Sequence, residues 1–342
     1  ACSIDNKAIF GTSTLSIVPT LYGPGPFQSP DKGLMLAYNG EVYNYKELGR
    51  EWKVDDLEHR CDSEIVLAGY EREGISFVRK LRGMFAFAIY DKLTSNVVVY
   101  RDRLGEKPIY YRLRESTFTF ASEIKSLLVG EHSATEISDE FLAFETPVAE
   151  ETMYEDIYLL KPGSYVVYDL NTSSTHNEQY WNLQETSCKS TGTDIDQFEF
   201  FLREAIREST PALPYGLLLS GGLDSTVLAY LMRPEVVFTV RYPGIDRFDE
   251  LVQAKKVASA IGARHVVVEP SAADFKQHIG DIVRHMDHPT GNSSTFSEYM
   301  VYKAMAQEGF RVAVGGIGID ELMLGYVRHL LMIGGGKKAR PP

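Results

Sequence analysis

Residues 217–226, LLLSGGLDST, combine the residue types and spacing of an anion site. Leu217, Leu218 and Leu219 read as the end of a buried strand, and Ser220, Gly221 and Gly222 as a small-residue turn. Thr226, Val227, Leu228 and Leu231 then recur at helical spacing. A strand, a glycine turn and a helix start present successive backbone N–H groups, and the helix end adds partial positive charge. Glycine lets a phosphate approach the backbone closely. Ser220 and Ser225 supply hydroxyl donors. Asp224 would repel a phosphate directly, so its place here makes sense with Mg2+ between its carboxylate and the phosphate oxygens. No lysine follows the glycines, which excludes the P-loop pattern G-x-x-x-x-G-K-[ST].

The elements that must position this loop alternate. The pattern predicts strand 216–220, helix 225–232, strand 236–241, helix 248–261, strand 265–268, helix 273–286, helix 295–308 and strand 311–314. Alternating β and α segments predict a parallel sheet with helices on both faces, and ligands in such sheets sit beyond the carboxyl ends of the strands. The second glycine loop, 315–318, also follows a strand, so both loops can face one pocket. The first half reads differently. Short apolar runs between turns over residues 5–45 predict β-structure, KELGREW and DSEIVLAGYEREG carry helical spacing, and FVRKLRGMFAFAIYDKLTSNVVVYRD reads as two strands around a turn at 94–96. FTFASEIKSLL reads as a strand running into a helix. A Ser/Thr/Gly-rich stretch at 185–193 predicts the boundary, giving domains 1–188 and 194–342, and residues 194–209 read as an amphipathic helix.

Composition bounds the function. The 342 residues suffice for two domains, and 44% hydrophobic content can fill their cores. A net charge of −12 argues against a nucleic-acid surface. Cys2, Cys61 and Cys188 form no C-x-x-C pair, which suits a reducing cytoplasm rather than a disulfide framework or zinc site. No apolar run approaches the roughly 20 residues of a membrane span, and no signal peptide is read at the start. A cytoplasmic protein with no membrane partner is expected.

The SGGLDS loop resembles the pyrophosphate loop of ATP pyrophosphatases, which cleave ATP between its α and β phosphates. NGEVYNYKEL, CDSEIVLAGYEREG, LRGMFAFAIYD, RDRLGEKPIYY and FASEIKSLL resemble, in the same order, segments of glutamine-dependent asparagine synthetases. The resemblance covers most of residues 7–330. It implies an N-terminal Ntn-type αββα sandwich, acting as a glutaminase, followed by a C-terminal parallel-sheet α/β ATP-pyrophosphatase domain. It implies glutamine, ATP, Mg2+ and a small carboxylic acid as partners, and allows a homodimer. Cys2 would be the nucleophile, with its own α-amine as base. Asn39 and Gly40 would form the oxyanion hole, and Glu41 and Asp62 would bind the glutamine α-amino group and nearby atoms. Leu218, Ser220, Gly221, Gly222, Asp224, Ser225, Val240, Gly315 and Gly316 would bind ATP, with Asp224 and Asp320 on the metal and Glu321 orienting Asp320.

The chain departs from that pattern at four places. Ala1 precedes Cys2, Thr14 stands where the family has the arginine that clamps the glutamine carboxylate, and the R-H-R-G-P-D segment before it is missing. Ile317 stands where the family has a general-base glutamate, and isoleucine takes no proton. Ile317 moves the expected acceptor away from plain aspartate. Two alternatives stay open: an ATP-dependent cyclase resembling β-lactam synthetases, with an inactive glutaminase domain, and a non-catalytic nucleotide-binding homologue. Lys337 and Lys338, in a Gly/Pro tail, read as solvated or as triphosphate contacts.

Overall fold

Alternation along one strand organises the first half of the chain. In the strand Leu34–Val42, Leu34, Leu36 and Val42 enter one core, whereas Met35 and Ala37 enter another. Side chains alternate across a strand, so a sheet buried on both faces needs apolar residues at nearly every position. The structure is a computed structural model that describes residues 2–3, 7–13, 15, 17, 25–31, 33–57, 60–128, 139–144, 150–186, 194–244, 250–288, 294–326 and 329, with backbone only at 2–3, 140, 143–144 and 185–186. Packing divides the chain into two units, Ala1–Ile195 with Val283–Asn292, and Asp196–Ile282 with Ser293–Pro342.

The first unit contains β1 (Cys2–Ser3), β2 (Ile9–Phe10), β3 (Phe27–Gln28), β4 (Leu34–Val42), β5 (Gly83–Asp91), β6 (Asn96–Arg101), β7 (Tyr110–Arg114), β8 (Thr117–Ala121), β9 (Tyr158–Leu159), β10 (Ser164–Asp169) and β11 (Ser174–Gln179). Its helices are α1 (Tyr45–Glu51), α2 (Asp62–Glu73), α3 (Asp139–Phe144) and α4 (Leu183–Thr186). A six-stranded antiparallel sheet has the order β11-β10-β6-β5-β4-β3, a second sheet the order β8-β7-β9, and β1 pairs with β2. On one face of the larger sheet, Phe85, Phe87 and Tyr100 pack with Leu48 of α1 and Ile65 and Val66 of α2. On the other, small residues (Ala37, Ala86, Ala88) meet Ile109, just before β7, and Tyr111 of the second sheet. Alanines on that face let the two sheets interdigitate closely. The sandwich expected from the resemblance is therefore present, and the turn expected at 94–96 joins β5 to β6. The helix expected after β8 is a single 3-10 turn, Ile124–Ser126, because one turn already buries Ile124 and Leu127 against Tyr110 and Ile157.

The loop after β6, RDRLGEKP, is built around a buried acid. Asp102 is fully buried, and its carboxylate accepts the backbone N–H groups of Phe85 (3.2 Å), Leu104 (3.1 Å), Glu106 (2.9 Å) and Lys107 (2.9 Å). Arg101, also buried, donates to the carbonyls of Lys107 (3.0 Å), Gly105 (2.7 Å) and Leu160 (2.6 Å). Asp102→Ala orphans four buried or half-buried donors, so we expect a loss of about 3 kcal/mol. A thermal melt checks this, and an unchanged Tm contradicts it.

The second unit holds α5 (Ile195–Ser209, whose first residue belongs to the first unit), β12 (Tyr215–Leu218), α6 (Leu223–Met232), β13 (Val236–Val240), α7 (Leu251–Ile261), β14 (Arg264–Val268), α8 (Ala272–Met286, whose residues from Val283 on belong to the first unit), α9 (Ser294–Gln307), β15 (Val312–Val314) and α10 (Ile319–Met323). Its strands run parallel in the order β14-β13-β12-β15. Leu217, Leu219 and Val237 pack against α6 and α7, while Val236 and Phe238 pack against Val301 and Met305 of α9. Helices thus cover both faces, as the alternation predicted. The amphipathic helix expected at 194–209 is α5, in which no residue is buried. Among the described residues no helix is long and apolar enough to cross a membrane.

Candidate active sites

The end of β4 forms the floor of a cavity in the first unit. Gly40 has φ +149 and Gly83, on β5, has φ +152. A Cβ on Gly40 would strike the Met84 carbonyl and lie 2.6 Å from Phe85 Cα, and one on Gly83 would strike the Glu41 carbonyl. Only glycine permits both the conformation and the close approach of the two strands. The resulting cavity, of about 760 Å³, is lined by Tyr38, Asn39, Gly40, Glu41, Asp62 and Lys107, among others. Asn39, Gly40, Glu41 and Asp62, all selected from the sequence, therefore converge.

Asp62 begins α2 and is buried. Its carboxylate accepts the Tyr38 hydroxyl (2.6 Å) and the N–H groups of Val42 (3.1 Å) and Ser63 (2.9 Å). Burial pushes its pKa above the ordinary 3.8, although these bonds pull the other way. Burial, then the nearby Asp62, raises Glu41 above its ordinary 4.5, and Lys107 opposes that rise. Two interacting carboxylates in the lining of a cavity suit a bound ammonium. Asn39 Nδ2 donates to Ser122 Oγ at 3.2 Å, so the proposed oxyanion donor is already held across the cavity.

Cys2 is described by its backbone alone, paired with Phe10 just before the cavity-lining Gly11, Thr12 and Ser13. The side chain of Cys2, together with Ala1, Thr14, Cys188, Lys337 and Lys338, lies outside the described residues. Sequence reasoning assigned no role to Tyr38, Lys107, Ser122 or Glu123, all of which line the cavity. The signal for Lys107 was Asp102, an acid at the end of an apolar strand, which is an improbable place for a charge that organises nothing.

In the second unit, β12 and β15 are parallel neighbours, with Leu217 opposite Val314. Their carboxyl ends bring both glycine loops together: a Cβ on Gly316 would lie 3.2 Å from Asp224 Cβ and 3.4 Å from the Ser225 backbone nitrogen. Gly221, at φ +87, sits against Ala254 at the start of α7, where a Cβ would come within 2.8 Å of the backbone. Ser220 Oγ accepts the Gly222 N–H (3.2 Å) and lies 3.0 Å from Ser225 Oγ. Gly222 caps α6, which places Asp224 in its first turn. Leu218 and Val240 end adjacent strands and pack on one apolar cluster, while Gly315 faces open space.

Partial burial and the charges of Asp320 and Glu321 push the Asp224 carboxyl above its ordinary 3.8. The donor set fits a divalent cation in this respect: mutually repelling carboxylates are relieved by one. Among the described residues no group of three or more His, Cys, Asp or Glu could hold a metal ion, so phosphate oxygens would have to complete the shell. Glu321 is otherwise engaged. It accepts the Gly318 N–H (2.9 Å) and the Tyr326 hydroxyl (2.7 Å), which fixes the turn that carries Asp320. The Ile317 side chain is 76% exposed, so no apolar contact explains its place in this loop.

Comparison with known proteins finds a family for each half of the chain. The glutamine amidotransferase domain family matches residues 1–181, and the asparagine synthase family matches residues 198–340. A Bacillus subtilis protein named asparagine synthetase [glutamine-hydrolyzing] 1 is 30% identical over 336 residues, covering 94% of this chain. A second B. subtilis asparagine synthetase is 32% identical over 244 residues, covering 66% of this chain and 33% of its own length. An amidase of Penicillium rubens is 27% identical over 347 residues, covering 92% of this chain and 51% of its own length. The chain spans 52% of the length of the first of these relatives.

Proposed function

The chain belongs to the asparagine synthetase-like family, in which a glutamine amidotransferase domain precedes an asparagine synthase domain, and from this premise we propose that it is a glutamine-dependent, amide-forming ligase. The glutaminase occupies residues 1–188 and the synthetase residues 194–342. In the first, the Cys2 thiolate attacks the side-chain amide of glutamine, Asn39 and Gly40 donate to the tetrahedral oxyanion, and ammonia leaves. Glu41 and Asp62 hold the substrate ammonium. In the second, the loop 220–225 cradles the phosphates of ATP while a small carboxylic acid is adenylated, with pyrophosphate as leaving group. Ammonia then displaces AMP from the acyl-adenylate to give the amide. Asp224 and Asp320 would hold Mg2+, which supplies charge neutralisation on the phosphates. Aspartate is one candidate acceptor, and the apolar, exposed Ile317 favours a different acid. The protein is cytoplasmic in this reading, has no nucleic-acid or membrane partner, and is compatible with a homodimer.

The observation that carries the reading is the meeting of the two glycine loops, Gly316 against Asp224, at the carboxyl edge of a parallel sheet. The test is ATP–pyrophosphate exchange across a panel of carboxylic acids, aspartate included, with glutamate release measured alongside. Exchange with one acid together with glutamate release supports the ligase. Exchange without glutamate release points instead to a ring-closing ligase, and no exchange with any acid overturns the assignment.

A pH dependence follows. Both ammonium-binding carboxylates must be ionised, and burial raises both above their ordinary 3.8 and 4.5. Glutamine binding is therefore complete at pH values above the raised pKa values and is lost as pH falls through them. KM for glutamine should climb by about tenfold per pH unit once the first carboxylate protonates and more steeply once both do, starting above the ordinary carboxylate range. A flat KM from neutral to pH 4 contradicts this.

A further inference from the structure

The cavity under β4 holds one charged group that the glutaminase chemistry above leaves unused. Among the described residues that line it, Glu41, Asp62 and Glu123 are acids and Lys107 is the sole Lys or Arg. The position of Lys107 is set by buried groups on both sides. Its N–H donates to the Asp102 carboxylate at 2.9 Å, and its carbonyl accepts from Arg101 Nε at 3.0 Å. Pro108 follows, with a fixed φ, and Ile109 is then buried in the core between the sheets. The side chain is half-buried, and among the described residues its ammonium makes no hydrogen bond or ion pair. It is near enough to Glu41 to oppose the rise of that carboxyl.

Glutamine enters as a zwitterion. Its ammonium finds Glu41 and Asp62, but its carboxylate would be the fourth negative charge in a cavity already lined by Glu41, Asp62 and Glu123. A carboxylate taken out of water without a cation is costly. A lysine stem is long and carries three rotatable donors, so it can reach a carboxylate from the cavity wall. We infer that Lys107 binds the α-carboxylate of glutamine, so that the cavity selects α-amino-acid amides over simple amides. The inference rests on reading the first unit as a glutaminase. Lys107 does not touch the reacting amide in this role. It places it.

The test compares the wild-type chain with Lys107→Met and Lys107→Arg on two substrates, L-glutamine and 4-aminobutanamide. The second is glutamine without its carboxylate. Ammonia release gives the kinetics, calorimetric titration with L-glutamate gives binding, and a thermal melt checks the fold. Lys107→Met should raise KM for glutamine by roughly 10- to 100-fold, and weaken L-glutamate binding by a similar factor. The preference for glutamine over 4-aminobutanamide, as a ratio of kcat/KM values, should fall by the same factor. Lys107→Arg, which keeps the cation, should recover most of it. An equal loss on both substrates, or a wild-type KM in Lys107→Met, overturns the inference. If the wild type releases no ammonia from glutamine, the glutaminase reading fails by itself. Lys107 is then judged on L-glutamate: binding that weakens in Lys107→Met upholds the inference, and binding that is absent or unaffected overturns it.

Discussion

Asp224→Asn is expected to lower ATP–pyrophosphate exchange by about 10²- to 10³-fold. The change keeps the size and shape of the side chain and removes only its charge. Asp224 lies in the first turn of α6, beside Gly316, and its carboxyl is pushed up by burial and by Asp320 and Glu321. A group whose folded pKa is raised weakens the fold as pH climbs past its ordinary value, because the folded state must then carry the repelling charge. Asn carries none, so the variant should melt at or above the wild-type temperature near neutral pH while exchange collapses. The two readouts moving in opposite directions separate a chemical role from a structural one. Asp320→Asn should behave alike, and the double variant should lose little more than either single one, since the two carboxylates act as a unit. Exchange within a few-fold of wild type, or a lowered Tm, refutes the metal-bridging role.

Cys2→Ala should reduce glutamate release by about 10³-fold or more, while amide formation supported by added ammonia continues. The change would remove the proposed nucleophile and leave the proposed adenylating site untouched. The base needed to activate the thiol is the α-amine of the same residue, so a preceding Ala1 ties it into a peptide bond. Protein that begins at Cys2 should therefore release glutamate about 10²-fold or more faster than protein that carries Ala1. Mass spectrometry of the purified chain, read beside its glutaminase rate, checks both halves. Full glutamate release by Cys2→Ala would require another nucleophile, and Cys61 is the thiol to examine first. It lines the cavity that holds Asn39 and Asp62, 3.0 Å from Ser63 Oγ, although it is buried.

Much of the site was legible in the chain. SGGLDS carries its proposed chemistry in six consecutive residues, because a phosphate nest is made by local backbone and needs no distant partner. The parallel sheet was legible for a related reason. Strand and helix periods alternate within short windows, and that pattern admits few architectures. Asn39, Gly40 and Glu41 are likewise consecutive on β4, so the strand alone brings them together.

What joins separate segments was decided by tertiary structure. Lys107 reaches the cavity only because Asp102 and Arg101 tie the loop back on itself, and nothing in the local spacing of RDRLGEKP says where its side chain goes. Tyr38 and Asp62 lie 24 residues apart, and their bond exists because α2 packs on the sheet that holds β4. The meeting of Gly316 with Asp224 depends on β15 pairing with β12 rather than with β14. Sequence by itself singled out the SGGLDS loop and the Asn39–Glu41 segment on which the proposed chemistries rest, since each is written in neighbouring residues. Only the folded sheets decided which charges share a cavity, because strand order and register, not periodicity, set distances between remote side chains.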